Sequence, residues 1–183
     1  MLIARRSFVL GALFGAAAGL PLVRALPALA AETLPDSRFV GYAQQINDFE
    51  IGSGQLALRK SANPQVRGFA TRMIAEHTEA ASELAKARQE SGITFAPDPA
   101  QPPHVGPILQ RLSVLDGPDF DIAYAKAQLA VLSEAEQQYG ANSANQGTSS
   151  SANSTGVVMR FAKREYPRMM RHREYAQQLA AGF

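Results

Sequence analysis

Four stretches of the chain place their apolar residues at alternating steps of three and four. No run of residues alternates at the step of two that a half-buried strand needs. Side chains three and four apart share one face of a helix, so each stretch presents one stripe to a core and the fold class is all-α. The first stretch, 39–60, carries Phe39, Tyr42, Ile46, Phe49, Ser53 and Leu56. The second, 64–91, carries Val66, Phe69 with Ala70, Met73, His77, Ala80, Leu84 and Ala87. The third carries Phe120, Tyr124, Ala127, Val131, Ala135 and Gln138. The fourth, 157–179, carries Val158, Ala162, Glu165, Met169, His172, Ala176 and Leu179.

Punctuation between the stripes sets how they connect. "LPDS" offers Asp36 or Ser37 as an N-cap, and "SANP" offers Asn63 as a cap with Pro64 in the first turn. Only a few residues separate the first two helices, so they are expected to be antiparallel neighbours. Gly92 is placed to end the second helix in a left-handed conformation. The connection 92–118 is too rich in proline for a long helix or a central strand, although "PILQRLSVL" within it has room for a turn or two of helix. Pro118 opens the third helix. A polar stretch, 140–156, has no apolar periodicity and reads as a loop. Pro167 falls inside the fourth helix and predicts a kink or a break. Four helices with a short first link and a long crossover between the second and third describe a four-helix bundle of the ferritin-like kind.

The first thirty residues read as an export signal rather than part of that bundle: a basic start, an apolar run and a small-residue exit. Ala28-Leu29-Ala30 fits a cleavage site after Ala30, which leaves 31–183 as a single domain in the periplasm or outside the cell. Arg5 and Arg6 followed by Ser7, Phe8 and Val9 resemble a twin-arginine signal; a general secretory signal is the alternative. An uncleaved anchor is disfavoured because the apolar run is short and diluted by glycine. This segment also accounts for the basic balance. Of 18 basic residues, Arg5, Arg6 and Arg24 lie in it with no acid, leaving 15 basic against 16 acidic. Nothing in that balance favours a nucleic-acid partner.

Chemistry is sparse. With no cysteine, disulfides, thiolate metal sites and cysteine nucleophiles are excluded. No glycine-rich phosphate loop, G-x-S-x-G or H-E-x-x-H is present, and Glu134 and Glu136, two apart on a helix, do not share a face. No catalytic set emerges, so the chain reads as non-catalytic. Of the three histidines, His104 sits in the proline-rich connection and reads as solvent-facing, whereas His77 and His172 lie on inner stripes. The two halves look related: "ANPQVRGFATRM" and "ANSTGVVMRFAKRE" each lead from Ala-Asn into a helix carrying Phe-Ala, then a histidine. Tyr42-Ala43 and Tyr124-Ala125 pair the other two helices. Eight residues beyond those tyrosines stand Glu50 and Leu132. The fourth helix also gathers Arg160, Lys163, Arg164, Arg168, Arg171 and Arg173, a run read either as a solvated face or as a contact for an acidic or envelope partner.

"EIGSGQLALRKSANPQVRGFATRMIAEHTEA" (50–80) resembles the most typical segment of the bacterial family called domain of unknown function 4142; "LSVLDGPDFDIAYAKAQL" and "YPRMMRH" continue the resemblance. The resemblance implies an exported, ferritin-like helical protein with no assigned activity. It further implies a core glutamate on the first helix and a histidine on each of the others. Glu50, His77 and His172 match these positions, while Leu132 takes the place of the remaining histidine. Two readings follow. One carboxylate and two imidazoles from three helices converge on a divalent metal ion, with Glu136 as a substitute ligand. Alternatively, no cofactor binds, and Glu50 accepts hydrogen bonds from His77 or His172 in a buried cluster. The Glu-x-x-His pairs of di-iron sites are absent, since Ile74 and Met169 stand three before the histidines. Glu165, two turns before His172, is too far along the axis to share a small site with it.

Overall fold

The computed structural model describes residues 31–94, 105–144 and 152–183, with side chains from 156 onward in the last segment. All regular structure among them is helical: α1 (Asp36–Lys60), α2 (Pro64–Ser91), α3 (Val105–Ser113), α4 (Gly117–Ser143) and α5 (Ala152–Ala180). The proposed signal segment, residues 95–104 of the proline-rich connection with His104, and the middle of the polar loop lie outside the described residues.

Local signals act largely as their chemistry dictates. Asn63 caps α2, its side-chain oxygen accepting from the N–H groups of Gln65 at 2.8 Å and Val66 at 3.4 Å, with Pro64 in the first turn. Gly92 ends the helix at φ 68°, a left-handed conformation that glycine adopts without strain. The start of α1 differs from expectation. The helix begins at Asp36 with Pro35 in the capping position and no side-chain cap bond. Asp36 instead places its acidic group in the first turn, where it complements the helix dipole.

Two further expectations are corrected. Part of the polar stretch 140–156 is helical, because α4 extends to Ser143 and α5 begins at Ala152. Tertiary contacts overrule composition there. The Asn142 amide clamps the chain entering α1, donating to the Leu34 carbonyl at 2.8 Å and accepting from the Leu34 N–H at 3.3 Å. Gly140 lies so close to Tyr166 that an added Cβ would meet the ring at 3.1 Å. Pro167 does not break α5. Its ring is exposed, so the carbonyl deprived of its N–H partner faces solvent.

The helices pack as two hairpins, α1 on α2 and α4 on α5, joined along α2 and α5 and more thinly along α1 and α4. Short α3 lies across α1 and α4. Apolar residues form two clusters. One surrounds Phe39, Phe49, Tyr139 and Phe161; the other surrounds Phe69, Met73, Phe120 and Tyr124. Phe39 meets Tyr139 edge to face at 5.0 Å between centroids, and Phe120 stacks on Tyr124 at 5.6 Å. Among the described residues no helix is long and apolar enough to cross a membrane.

Candidate functional site

Between the two apolar clusters the core is polar. Asn47, Glu50, Ser53, His77, Gln128 and His172 are all fully buried. The α-helical step of three and four aligns Asn47, Glu50 and Ser53 on one face of α1. His77 comes from α2, Gln128 from α4 and His172 from α5.

The two inner-stripe histidines meet. His77 Nε2 and His172 Nδ1 are 3.2 Å apart, with ring centroids at 4.9 Å. His77 Nδ1 faces the Asn47 side-chain amide at 2.9 Å, and His172 Nε2 faces Glu76 Oε2 at 2.7 Å. The result is a single chain of four side chains, running from the half-exposed Glu76 to the fully buried Asn47.

Its proton arrangement follows from the ends. Burial lowers the pKa of His77, and the charges of His172 and Arg168 lower it further. His172 is lowered by burial against the raising effect of Glu76. Both rings are therefore neutral at pH 7, with one N–H each. The Glu76 carboxylate takes the N–H of His172 Nε2. His172 Nδ1 must then accept from His77 Nε2, and His77 Nδ1 must accept from the Asn47 amide nitrogen. With the amide turned the other way, Asn47 Nδ2 has no partner in the core. Every ring nitrogen of the pair is thus engaged within the protein.

Glu50 joins a different set. Its carboxyl lies 2.7 Å from the Gln128 amide, whose other end is 2.9 Å from Ser53 Oγ. Among the described residues Glu50 makes no hydrogen bond or ion pair with either histidine, so the expected Glu50–histidine bonds are replaced by Gln128. Burial pushes the Glu50 pKa up to about 8, opposed by the hydrogen bond from Gln128. The amide suits both protonation states. A protonated Glu50 donates to the Gln128 oxygen while the amide nitrogen donates to Ser53 Oγ. An ionised Glu50 accepts from the nitrogen of the reversed amide, whose oxygen accepts from Ser53.

The remaining expected site residues stand apart from this core. Glu136 pairs with Arg173. Leu132 is fully buried in apolar surroundings. Buried Glu165 lies 3.3 Å from Arg168 and 3.7 Å from Arg164; burial raises its pKa against the lowering effect of both cations. Among the described residues no group of three or more histidine and acidic side chains is arranged to hold a metal ion. On the basic face of α5, Arg164 pairs with Glu83, Arg168 with Glu79 and Arg173 with Glu136, so half of that run is neutralised by acids of neighbouring helices.

Asn47, Glu76 and Gln128 are the participants that sequence reasoning missed. Asn47 and Glu76 adjoin the stripes without breaking their apolar pattern. Gln128 was hidden because alanine and leucine surround α4, so the phase of its stripe is ambiguous: Gln128 and Tyr139 are buried where Ala127 and Gln138 were expected.

Comparison with curated proteins and with solved structures gives no match. Residues 23–179 match the family described as Domain of unknown function (DUF4142), and the chain belongs to that family.

Proposed function

We propose that this is an exported, envelope-associated protein built as a ferritin-like four-helix bundle, non-catalytic, with a cofactor-free hydrogen-bonded core. One observation carries the reading of the core: each buried polar side chain expected to ligate already has a protein partner. Glu50 is held by Gln128, and the histidines by one another, Asn47 and Glu76. Such a chain fixes the register of α1, α2 and α5, because a shift of one residue would strand several buried polar groups. Export after cleavage at Ala30 rests on the three-part segment 1–30.

A second reading is favoured by one distance. Two nitrogens 3.2 Å apart have nearly the separation of neighbouring ligands on a tetrahedral zinc ion, about 3.3 Å for Zn–N bonds of ~2.0 Å. A divalent ion held by His77 and His172 would replace their shared proton, and Glu50 would have to leave Gln128 to join it. Elemental analysis of protein recovered from its own export route separates the two readings, with His77→Ala and His172→Ala alongside. Metal-free protein is expected. Stoichiometric metal lost in both variants overturns the cofactor-free core.

A further inference from the structure

The polar core does not account for the cleft between α3 and α4. It has a volume of about 420 Å³, within the range of small-molecule sites of ~300–1,000 Å³. Its walls are two i, i+4 pairs: Ile108 and Leu112 from α3, Ala123 and Ala127 from α4. The alanines are too small to close the gap that the larger α3 side chains leave. α3 is held by Leu109, which packs toward Gly52 of α1, and by Leu112, buried against the second apolar cluster.

Charge at this cleft is one-sided. Arg111, three residues after Ile108, and Lys126, three after Ala123, also line it, and both are exposed. Neither has an acid three or four residues away on its own helix, the spacing at which helical ion pairs form. Neither makes an ion pair among the described residues, in contrast to Arg164, Arg168 and Arg173 on α5, which are all paired. An apolar trough flanked by two cations with no ion pair among the described residues is complementary to a molecule with one apolar tail and an anionic head.

We propose that the α3–α4 cleft binds a fatty-acid carboxylate. The acyl chain lies between Ile108, Leu112, Ala123 and Ala127, and the carboxylate is held by Arg111 and Lys126. The volume admits one acyl chain. The proposal is independent of the core histidines, so it stands or falls separately from the cofactor-free reading.

Calorimetric titration of the purified protein with dodecanoate, below the concentration at which it forms micelles, is the test. Saturable binding of one molecule per chain is expected, with no comparable binding of dodecyltrimethylammonium. The exposed double variant Arg111→Gln/Lys126→Gln should weaken binding about tenfold or more, the value of a charge-assisted contact. Ala127→Trp should abolish binding by filling the trough; circular dichroism checks that both variants keep their helices. Equal binding of the cationic amphiphile overturns the proposal, as does unchanged affinity in both variants. Self-association that Ala127→Trp removes, without dodecanoate binding, would assign the cleft to a second copy and overturn it too.

Discussion

His77 of α2 and His172 of α5 face each other across the seam between the two helical hairpins, nitrogen to nitrogen at 3.2 Å. The bond is fully buried, so losing one partner leaves the other without water to replace it. His77→Leu and His172→Leu are each expected to destabilise the protein by about 1–3 kcal/mol. The double variant should cost less than the sum, because two apolar side chains can pack where one polar group cannot be satisfied. Urea denaturation of the four proteins measures the coupling; strict additivity would show that the two rings do not depend on each other.

Glu50 should make stability depend on pH in a direction opposite to that of most carboxylates. Its pKa is raised in the folded protein, from 4.5 to about 8, so the folded state holds the proton that the unfolded state releases. Its contribution is fully present below about pH 4.5 and is lost as pH rises toward 8. The buried histidines are lowered and act the other way below pH 6.5, but they are common to wild type and to Glu50→Gln. The stability of Glu50→Gln relative to wild type should therefore rise between pH 5 and 8, by up to about 1.4 kcal/mol per pH unit. Chemical denaturation across that range tests it, and a flat difference would place the Glu50 pKa near its ordinary value.

Gly54 and Gly68 are both helical glycines, yet alanine should have opposite effects at the two. A Cβ on Gly54 of α1 would lie 2.8 Å from Ile74 Cγ1 and 3.2 Å from the Ala70 carbonyl, both of α2. A Cβ on Gly68 meets nothing within 4 Å. Gly68→Ala should gain up to about 1 kcal/mol from helix propensity alone. At Gly54 the same gain is outweighed by a contact with backbone that cannot turn aside, for a net loss of about 1–2 kcal/mol. Thermal denaturation of the two variants gives both signs directly.

The legible part of this fold is α2. The stripe read from its sequence, from Val66 to Ala87, is the set of residues it buries, because charged residues on the outer face fix the phase unambiguously. The inner stripe of α5 from Val158 to Leu179 is buried as read, although Pro167 suggested a break that its solvent-facing position avoids. α4 was legible as a helix but not in its rotation. Alanines and leucines on several sides make neighbouring phases equally apolar, and only packing against α1 and α5 selects the face carrying Gln128 and Tyr139. The site was half legible for the same reason. Two histidines among apolar residues stand out in a sequence; an asparagine, a glutamine and a glutamate do not until geometry brings them to a ring nitrogen or a carboxyl.

Gln128 therefore offers the sharpest test of the core. It is the group that bonds to the Glu50 carboxyl, and it bridges α4 to Glu50 and Ser53 of α1. Gln128→Leu removes that partner while keeping most of the volume, and should cost about 2–3 kcal/mol by stranding a buried carboxyl. The hydrogen bond also holds the Glu50 pKa down, so its loss should carry that pKa further up and extend the loss of stability with pH beyond 8. Adding Glu50→Leu removes the stranded group. The double variant should recover most of the stability and lose the part of the pH dependence that Glu50 contributes, measured by urea denaturation at pH 6 and pH 9. If Gln128→Leu alone leaves stability unchanged at both values, Glu50 is satisfied by something other than the Gln128 amide.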